Sequence, residues 1–206
     1  MIRVEGIRKS YGKKAVLTNV NLSLETGEQA AIIGRNGCGK TTLMHIMAGI
    51  TKPDAGSVSY FGHNIFKEKR TVAKYCGYLP QGDCLLEELS VQDNISLWSG
   101  KSGAPSGELT DFFDLKEILK VPVKNLSGGM KRRVSIACTM VGWPPVLLLD
   151  EPTGGLDRYY KAEIRELMGR YRALNGILVI VTHDEEEIKT CSRCFELSGG
   201  VLKEAT

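Results

Sequence analysis

Apolar residues alternate with polar ones at Ile2 and Val4, and again at Val20, Leu22 and Leu24 beyond a Ser-Tyr-Gly turn. A period of two puts such residues on one side of a strand, so two short strands with one buried face are predicted in an edge sheet. Residues 30–33 (AAII) are apolar without alternation, as a strand covered on both faces requires. A glycine-rich loop follows directly, and then Leu43, Met44, Met47 and Ile50 recur at helical spacing. That succession is the pattern of a strand, a phosphate-binding loop and a helix. Residues 56–62 (GSVSYFG) read as another edge strand, and Tyr78 and Leu79 as a short strand stopped by Pro80.

Residues 82–125 change character: helical pieces, the longest at 108–120, are separated by Gly, Ser and Pro. This stretch is expected to be an inserted helical lobe, with a central loop at 100–107 that is disordered only at its tip. After residues 126–129 (LSGG), Met130, Val134, Ala137, Cys138 and Val141 repeat at helical spacing, with Lys131, Arg132 and Arg133 assigned to the opposite, polar face. Pro144 must end that helix. Residues 146–150 (VLLLD) form a buried strand ending in an acid. Tyr160, Ile164, Leu167, Met168, Tyr171 and Leu174 then mark one face of a second long helix, and residues 176–183 (GILVIVTH) contain another buried strand. Apolar strands alternating with amphipathic helices predict an α/β fold with a mainly parallel sheet covered on both faces. The whole of 1–206 reads as one domain, with 1–81 and 126–206 as its core.

Charge and composition narrow the function classes. Twenty-seven basic against 24 acidic residues leave a net charge of only +3, so neither a nucleic-acid-binding tail nor an acidic solvating segment is called for. The longest aliphatic run, residues 177–181, is five residues, far below the roughly 20 that cross a bilayer. The start lacks the apolar stretch of a secretory signal, which leads us to expect a cytosolic location. Of the six cysteines only Cys191 and Cys194 form a CxxC pair, without a second pair to complete a zinc site, and reduced thiols are expected. The 23 glycines gather at the edges of apolar segments, where functional turns belong.

Residues 34–41 (GRNGCGKT) satisfy G-x-x-x-x-G-K-[ST] between a predicted strand and a predicted helix. Gly34, Asn36, Gly37, Cys38 and Gly39 form a loop whose backbone N–H groups converge on one point, and the helix N-terminus adds its dipole. Lys40 reaches the β- and γ-phosphates, Thr41 offers a hydroxyl to Mg²⁺, and Thr42 is placed to meet a phosphate oxygen. Asp150 emerges where a buried strand opens, and a buried carboxylate calls for a cation such as Mg²⁺. Its neighbour Glu151 can polarise an attacking water. These features place the sheet in a phosphate-loop nucleoside triphosphatase core, with an antiparallel edge sheet and the inserted helical lobe.

With residues 126–133 (LSGGMKRR), 147–157 (LLLDEPTGGLD), 78–81 (YLPQ) and 181–184 (VTHD) in that family's order, the chain resembles the nucleotide-binding subunit of ATP-binding-cassette (ABC) transporters along its whole length. The resemblance implies two such domains, in a homodimer or heterodimer, packed head to tail around ATP. Ser127, Gly128 and Gly129 would cap the γ-phosphate held by the opposite domain. Gln81 would lie near Mg²⁺ and the attacking water, His183 would contact the γ-phosphate, Tyr11 would stack on adenine, and Asp157 would cross the dimer interface.

The chain departs from the family at Gly154, where serine is common, and in a lobe lean in aromatics. It also stops about 20 residues after His183, so a small stand-alone subunit is expected. The implied activity is MgATP hydrolysis driving a separate transmembrane permease at the cytoplasmic face of the membrane, with export favoured over import and no nucleic acid involved. The permease would dock around Gln81, Leu89, Val91 and Ile95. A soluble ABC ATPase that remodels a macromolecular complex would ordinarily carry tandem cassettes or long insertions. Glu151 and His183 argue against a noncatalytic regulatory module.

Overall fold

The computed structural model describes residues 1–68, 72, 74–82, 84–99 and 106–205. Strands β1 (Ile2–Tyr11) and β2 (Lys14–Leu24) form an antiparallel hairpin. They are longer than predicted, because pairing continues past the apolar positions until Tyr11 faces Lys14. β4 (Ala55–Tyr60) adds to β1, and β5 (His63–Asn64) to β4. β3 (Gln29–Ile33), β6 (Cys76–Leu79), β7 (Val146–Asp150), β8 (Ile177–Val181) and β9 (Arg193–Ser198) run parallel. β10 (Val201–Glu204) folds back on β9 and touches β2 at Val201, giving the order β5-β4-β1-β2-β10-β9-β3-β8-β7-β6.

The unalternated strands feed two cores. Successive side chains of a strand point to opposite faces, so Val146 and Leu148 of β7 enter one cluster while Leu147 and Leu149 enter another. The same division sends Val179 of β8 to the first and Leu178 and Ile180 to the second. The first cluster holds helix α1 (Lys40–Met47) together with the buried sides of β1, β2 and β4. The second holds α2 (Val91–Ser99), α3 (Gly107–Phe112), α4 (Gly128–Thr139) and α5 (Arg158–Ala173). A short α6 (Glu185–Thr190) follows β8.

Several expectations are corrected. Ile50 is 62% exposed, because α1 stops at Met47 and Gly49, with φ of 71°, turns the chain away. Leu174 is equally exposed, since it ends α5 just before Asn175 takes a left-handed φ. The helical pattern at 108–120 breaks at Asp114, also left-handed, into α3 and a 3-10 turn at Lys116–Ile118. Residues 100–105 of the expected central loop lie outside the described residues. Val91 and Ile95 are buried within the lobe and offer no docking surface; among the described residues Leu86, Leu97 and Trp98 are large apolar residues exposed there. Arg132 leaves the polar face of α4 and is 5% exposed, its guanidinium buried among backbone carbonyls.

Candidate functional site

Strand register decides which residues meet. Ile32 and Asp150 both pair with Val181, and Leu79 pairs with Leu149. β3, β8, β7 and β6 therefore end at one level, and the segments leaving them share one carboxyl edge, where ligands enter open parallel sheets. A cleft of about 390 Å³ opens there, lined by Tyr11, Asn36, Gly37, Gly39, Lys40, Thr41, Thr42, Gln81, Asp150, Glu151 and His183, with Val16 and Val181. Gly34 and Cys38 support this loop from outside the cleft lining: a Cβ on Gly34 would strike the Leu197 carbonyl, and Cys38 N–H donates to Arg35 O at 3.2 Å.

The loop curls around its own lysine. Lys40 is 8% exposed, and its Nζ donates to Gly34 O at 2.7 Å and Arg35 O at 3.2 Å. Gly39 begins α1 with φ of 112°, a region costly for residues with a Cβ, and offers no side-chain cap. The first N–H groups of α1 are thus left for a ligand, which is what an anion site at a helix start needs.

Asp150 ends β7 and is 2% exposed. Thr41 Oγ1 donates to its Oδ2 at 3.1 Å. Burial pushes the Asp150 carboxyl above its usual range, against the Thr41 hydrogen bond and the Lys40 charge. A buried carboxylate beside a hydroxyl is a hard oxygen donor set, and it fits Mg²⁺. Glu151 takes a left-handed φ of 52°, which costs a non-glycine residue about 1–2 kcal/mol. Its N–H donates to Val181 O at 2.8 Å, and its Oε1 lies 3.1 Å from Nε2 of His183. The carboxylate expected to polarise the water and the histidine expected to contact the γ-phosphate are therefore in contact in the lining of the cleft.

Ser127, Gly128, Gly129 and Asp157 are not brought to this cleft. Ser127 caps α4 by accepting from Met130 N–H at 3.3 Å, and its Oγ donates to Tyr160 Oη at 2.8 Å. Gly129 lies beneath the Tyr160 ring, which a Cβ there would penetrate. Asp157 caps α5 by accepting from the N–H groups of Tyr159 and Tyr160, at 2.9 and 3.1 Å. Tyr160 thus joins the two segments, although its spacing marked it only as a buried helix position.

Glu187 was also missed, hidden in the acidic run 185–187. Its side chain is 0% exposed. Neither carboxylate oxygen meets full hydrogen-bond geometry, yet the hydroxyls of Thr182 and Thr153 lie close enough to oppose part of the burial effect. Burial wins and raises the pKa above 4.5. The folded chain therefore holds this proton more tightly than the unfolded one, and the stability it contributes at low pH is lost as pH rises through the folded value. Glu187→Gln is expected to melt like the unaltered chain near pH 4, below the unfolded value, and above it at pH 8. The gap should be about 2–4 °C per kcal/mol in a domain of this size. Melting temperatures that stay in step across that pH range would refute it.

The match to a sequence-family model described as ABC transporter covers residues 17–154. The lipoprotein-releasing system ATP-binding protein LolD of Bacteroides fragilis is 37% identical, over 97% of this chain and 99% of its own. The Nod factor export ATP-binding protein I of Sinorhizobium fredii is 32% identical over 97% of this chain, which spans 60% of that protein. A solved dimer of an ATP-binding cassette, in a post-hydrolysis state with ADP and Pi, superposes with a TM-score of 0.87 at 27% identity, covering 100% of this chain and 98% of the other. The family model, a relative matched from end to end and a superposed cassette agree with one another, and the chain belongs to the ABC transporter family as an ATP-binding and ATP-hydrolysing subunit.

Proposed function

We propose that this subunit hydrolyses MgATP between two head-to-tail copies, or between this chain and a similar one, and drives a separate membrane permease in the export direction. Lys40 and the loop N–H groups bind the β- and γ-phosphates, and Tyr11 stacks on the adenine. Thr41, Asp150 and Gln81 would hold Mg²⁺, which when bound supplies charge neutralisation on the phosphate oxygens. Glu151 takes the proton of the attacking water as its oxygen closes on the γ-phosphorus in line with the leaving ADP oxygen. His183 keeps the Glu151 side chain in place and contacts the γ-phosphate. Ser127, Gly128 and Gly129 of the second copy close the site from above, and Asp157 crosses between the copies.

The observation that carries this reading is an incomplete cleft. Every hydrolytic residue assigned here lines it, while a further anion clasp, the start of α4 with Ser127, lies outside that lining in the same chain. A second copy is the economical way to unite them.

Among the described residues no helix is long and apolar enough to cross a membrane. A motor without a route through lipid needs a partner that has one, and the subunit would then work peripherally on the cytoplasmic face. In the division into core (1–81 and 126–206) and lobe (82–125), the lobe is the docking element. Its exposed apolar residues Leu86, Leu97 and Trp98 form the contact, with Glu87 and Glu88 on the rim. The relatives named for lipoprotein release and Nod factor export support the export direction.

Leu86 tests this docking. It is 54% exposed, and its backbone is held by Asn94 on both sides, N–H to Oδ1 at 2.8 Å and O from Nδ2 at 3.0 Å, so a side-chain change leaves the loop intact. Leu86→Asp is expected to lower co-purification with the permease about tenfold, while ATPase activity of the isolated subunit stays within twofold. Full co-purification with coupled transport would overturn this placement.

A further inference from the structure

Arg132 carries the inference furthest. It stands on the second turn of α4, five residues after Ser127, and its guanidinium meets two separate segments of the cleft. Nε donates to Pro152 O at 2.7 Å, and Nη2 donates to Glu151 O at 2.5 Å and Asp150 O at 3.2 Å. Nη1 donates to Gly82 O at 2.9 Å, next to Gln81. These four acceptors are backbone carbonyls, and the charge of Arg132 also helps to hold down the pKa of the Asp150 carboxyl.

The need for such a donor follows from the backbone. β7 ends at Asp150, and the left-handed Glu151 turns the following carbonyls away from the sheet ladder. Buried carbonyls without a partner are costly, and a planar fork with five N–H groups can serve several at once. On its other side the Glu151 peptide is held by Val181, and its side chain by His183. Remove the fork, and the turn keeps Val181, His183 and the Gly154 N–H that donates to Glu151 O at 3.1 Å, but loses its ties to α4 and to Gly82.

We propose that Arg132 is a positioning residue for hydrolysis: it holds the Glu151 turn and the Gln81 loop in register with the cleft, and ties both to the helix that begins at Ser127. This rests on the hydrolytic reading above and deepens it. Because that helix serves the ATP of the other copy in the head-to-tail arrangement, Arg132 is also the link through which closure at one site reaches the catalytic turn of the other.

The test compares Arg132→Met, which keeps the apolar stem, and Arg132→Lys, which keeps the charge without the fork, with the unaltered subunit. Lys131→Met is the control, since the Lys131 ammonium pairs with the exposed Glu87 at 2.6 Å. A displacement of about 1 Å at a reacting group can cost on the order of 10²-fold. Both Arg132 variants are therefore expected to lose about 10²-fold in kcat, while KM and the ATP affinity measured by calorimetry stay within threefold. Lysine should not rescue, and the control should turn over normally.

A kcat within threefold of normal in either variant overturns the proposal, as does a parallel loss of kcat and affinity, which would mark a purely structural role. Should Arg132→Met fail to fold, Arg132→Lys decides alone by the same two numbers. An unaltered subunit that binds ATP without hydrolysing it, with its dimer and magnesium supplied, would instead refute the hydrolytic reading, and that is seen before any variant is measured.

Discussion

Glu151→Gln is expected to hold ATP as tightly as the unaltered chain and to hydrolyse it about 10²–10⁴-fold more slowly, the usual contribution of a positioned general base. The amide has the size and shape of the carboxylate, so its oxygen can still meet Nε2 of His183 at the 3.1 Å now spanned by the carboxylate. The left-handed backbone at Glu151 is fixed by Val181 and Arg132 through main-chain groups, which the substitution leaves untouched. What is lost is the acceptor for the water proton. If ATP draws two copies together and hydrolysis releases them, the variant should accumulate as an ATP-bound dimer. Sedimentation velocity with MgATP, set beside a phosphate-release assay, reads both effects. Ordinary turnover without a stable dimer would remove Glu151 from the proposed role.

Sequence made β3, β7 and β8 legible because these strands are buried on both faces. Residues 146–149 and 177–181 are too apolar to be anything but core, and the glycine-rich loop and strand-end acid beside them name their own chemistry. The phosphate loop, Asp150 and its neighbour Glu151 were read from their place at strand ends, Gln81 and His183 only from the family resemblance, and the register brings the strand ends level so that all of them line one cleft. Less visible were groups whose partners are distant in the chain. Arg132 looked like one more charge in a basic triplet, since nothing local announces carbonyls 18 to 20 residues ahead and 50 behind. Helix ends failed for a different reason: Ile50 and Leu174 continue the apolar period, but left-handed residues at Gly49 and Asn175 stop the helices first. Glycine in the first case can be anticipated; asparagine in the second is only one of several residues that turn a chain. Periodicity finds the face of a helix more securely than its last turn.

Lys40→Ala is expected to weaken ATP binding by about 10²–10³-fold. The ammonium is the one cationic side chain lining the cleft among the described residues apart from the titratable His183. Without nucleotide it is already drawn in: Nζ donates to the carbonyls of Gly34 and Arg35, and only 8% of the residue is exposed. A phosphate entering the loop would exchange these neutral acceptors for charged ones, and a hydrogen bond to a charged group contributes about 1.5–3 kcal/mol. Two such bonds, allowing for the carbonyl contacts given up, come to about 3–4 kcal/mol, at about 1.4 kcal/mol per tenfold in affinity. The backbone N–H groups of the loop and α1 remain, so the loss is large without being total. Lys40→Met separates charge from packing, because it keeps most of the stem that fills the loop. It should lose nearly as much affinity as alanine, while its melting temperature stays closer to that of the unaltered chain. Isothermal calorimetry with ATP and a parallel thermal melt measure the two quantities. Affinity retained within threefold in Lys40→Met would mean that the phosphates are held by backbone dipoles alone, and that the lysine serves only to shape the loop.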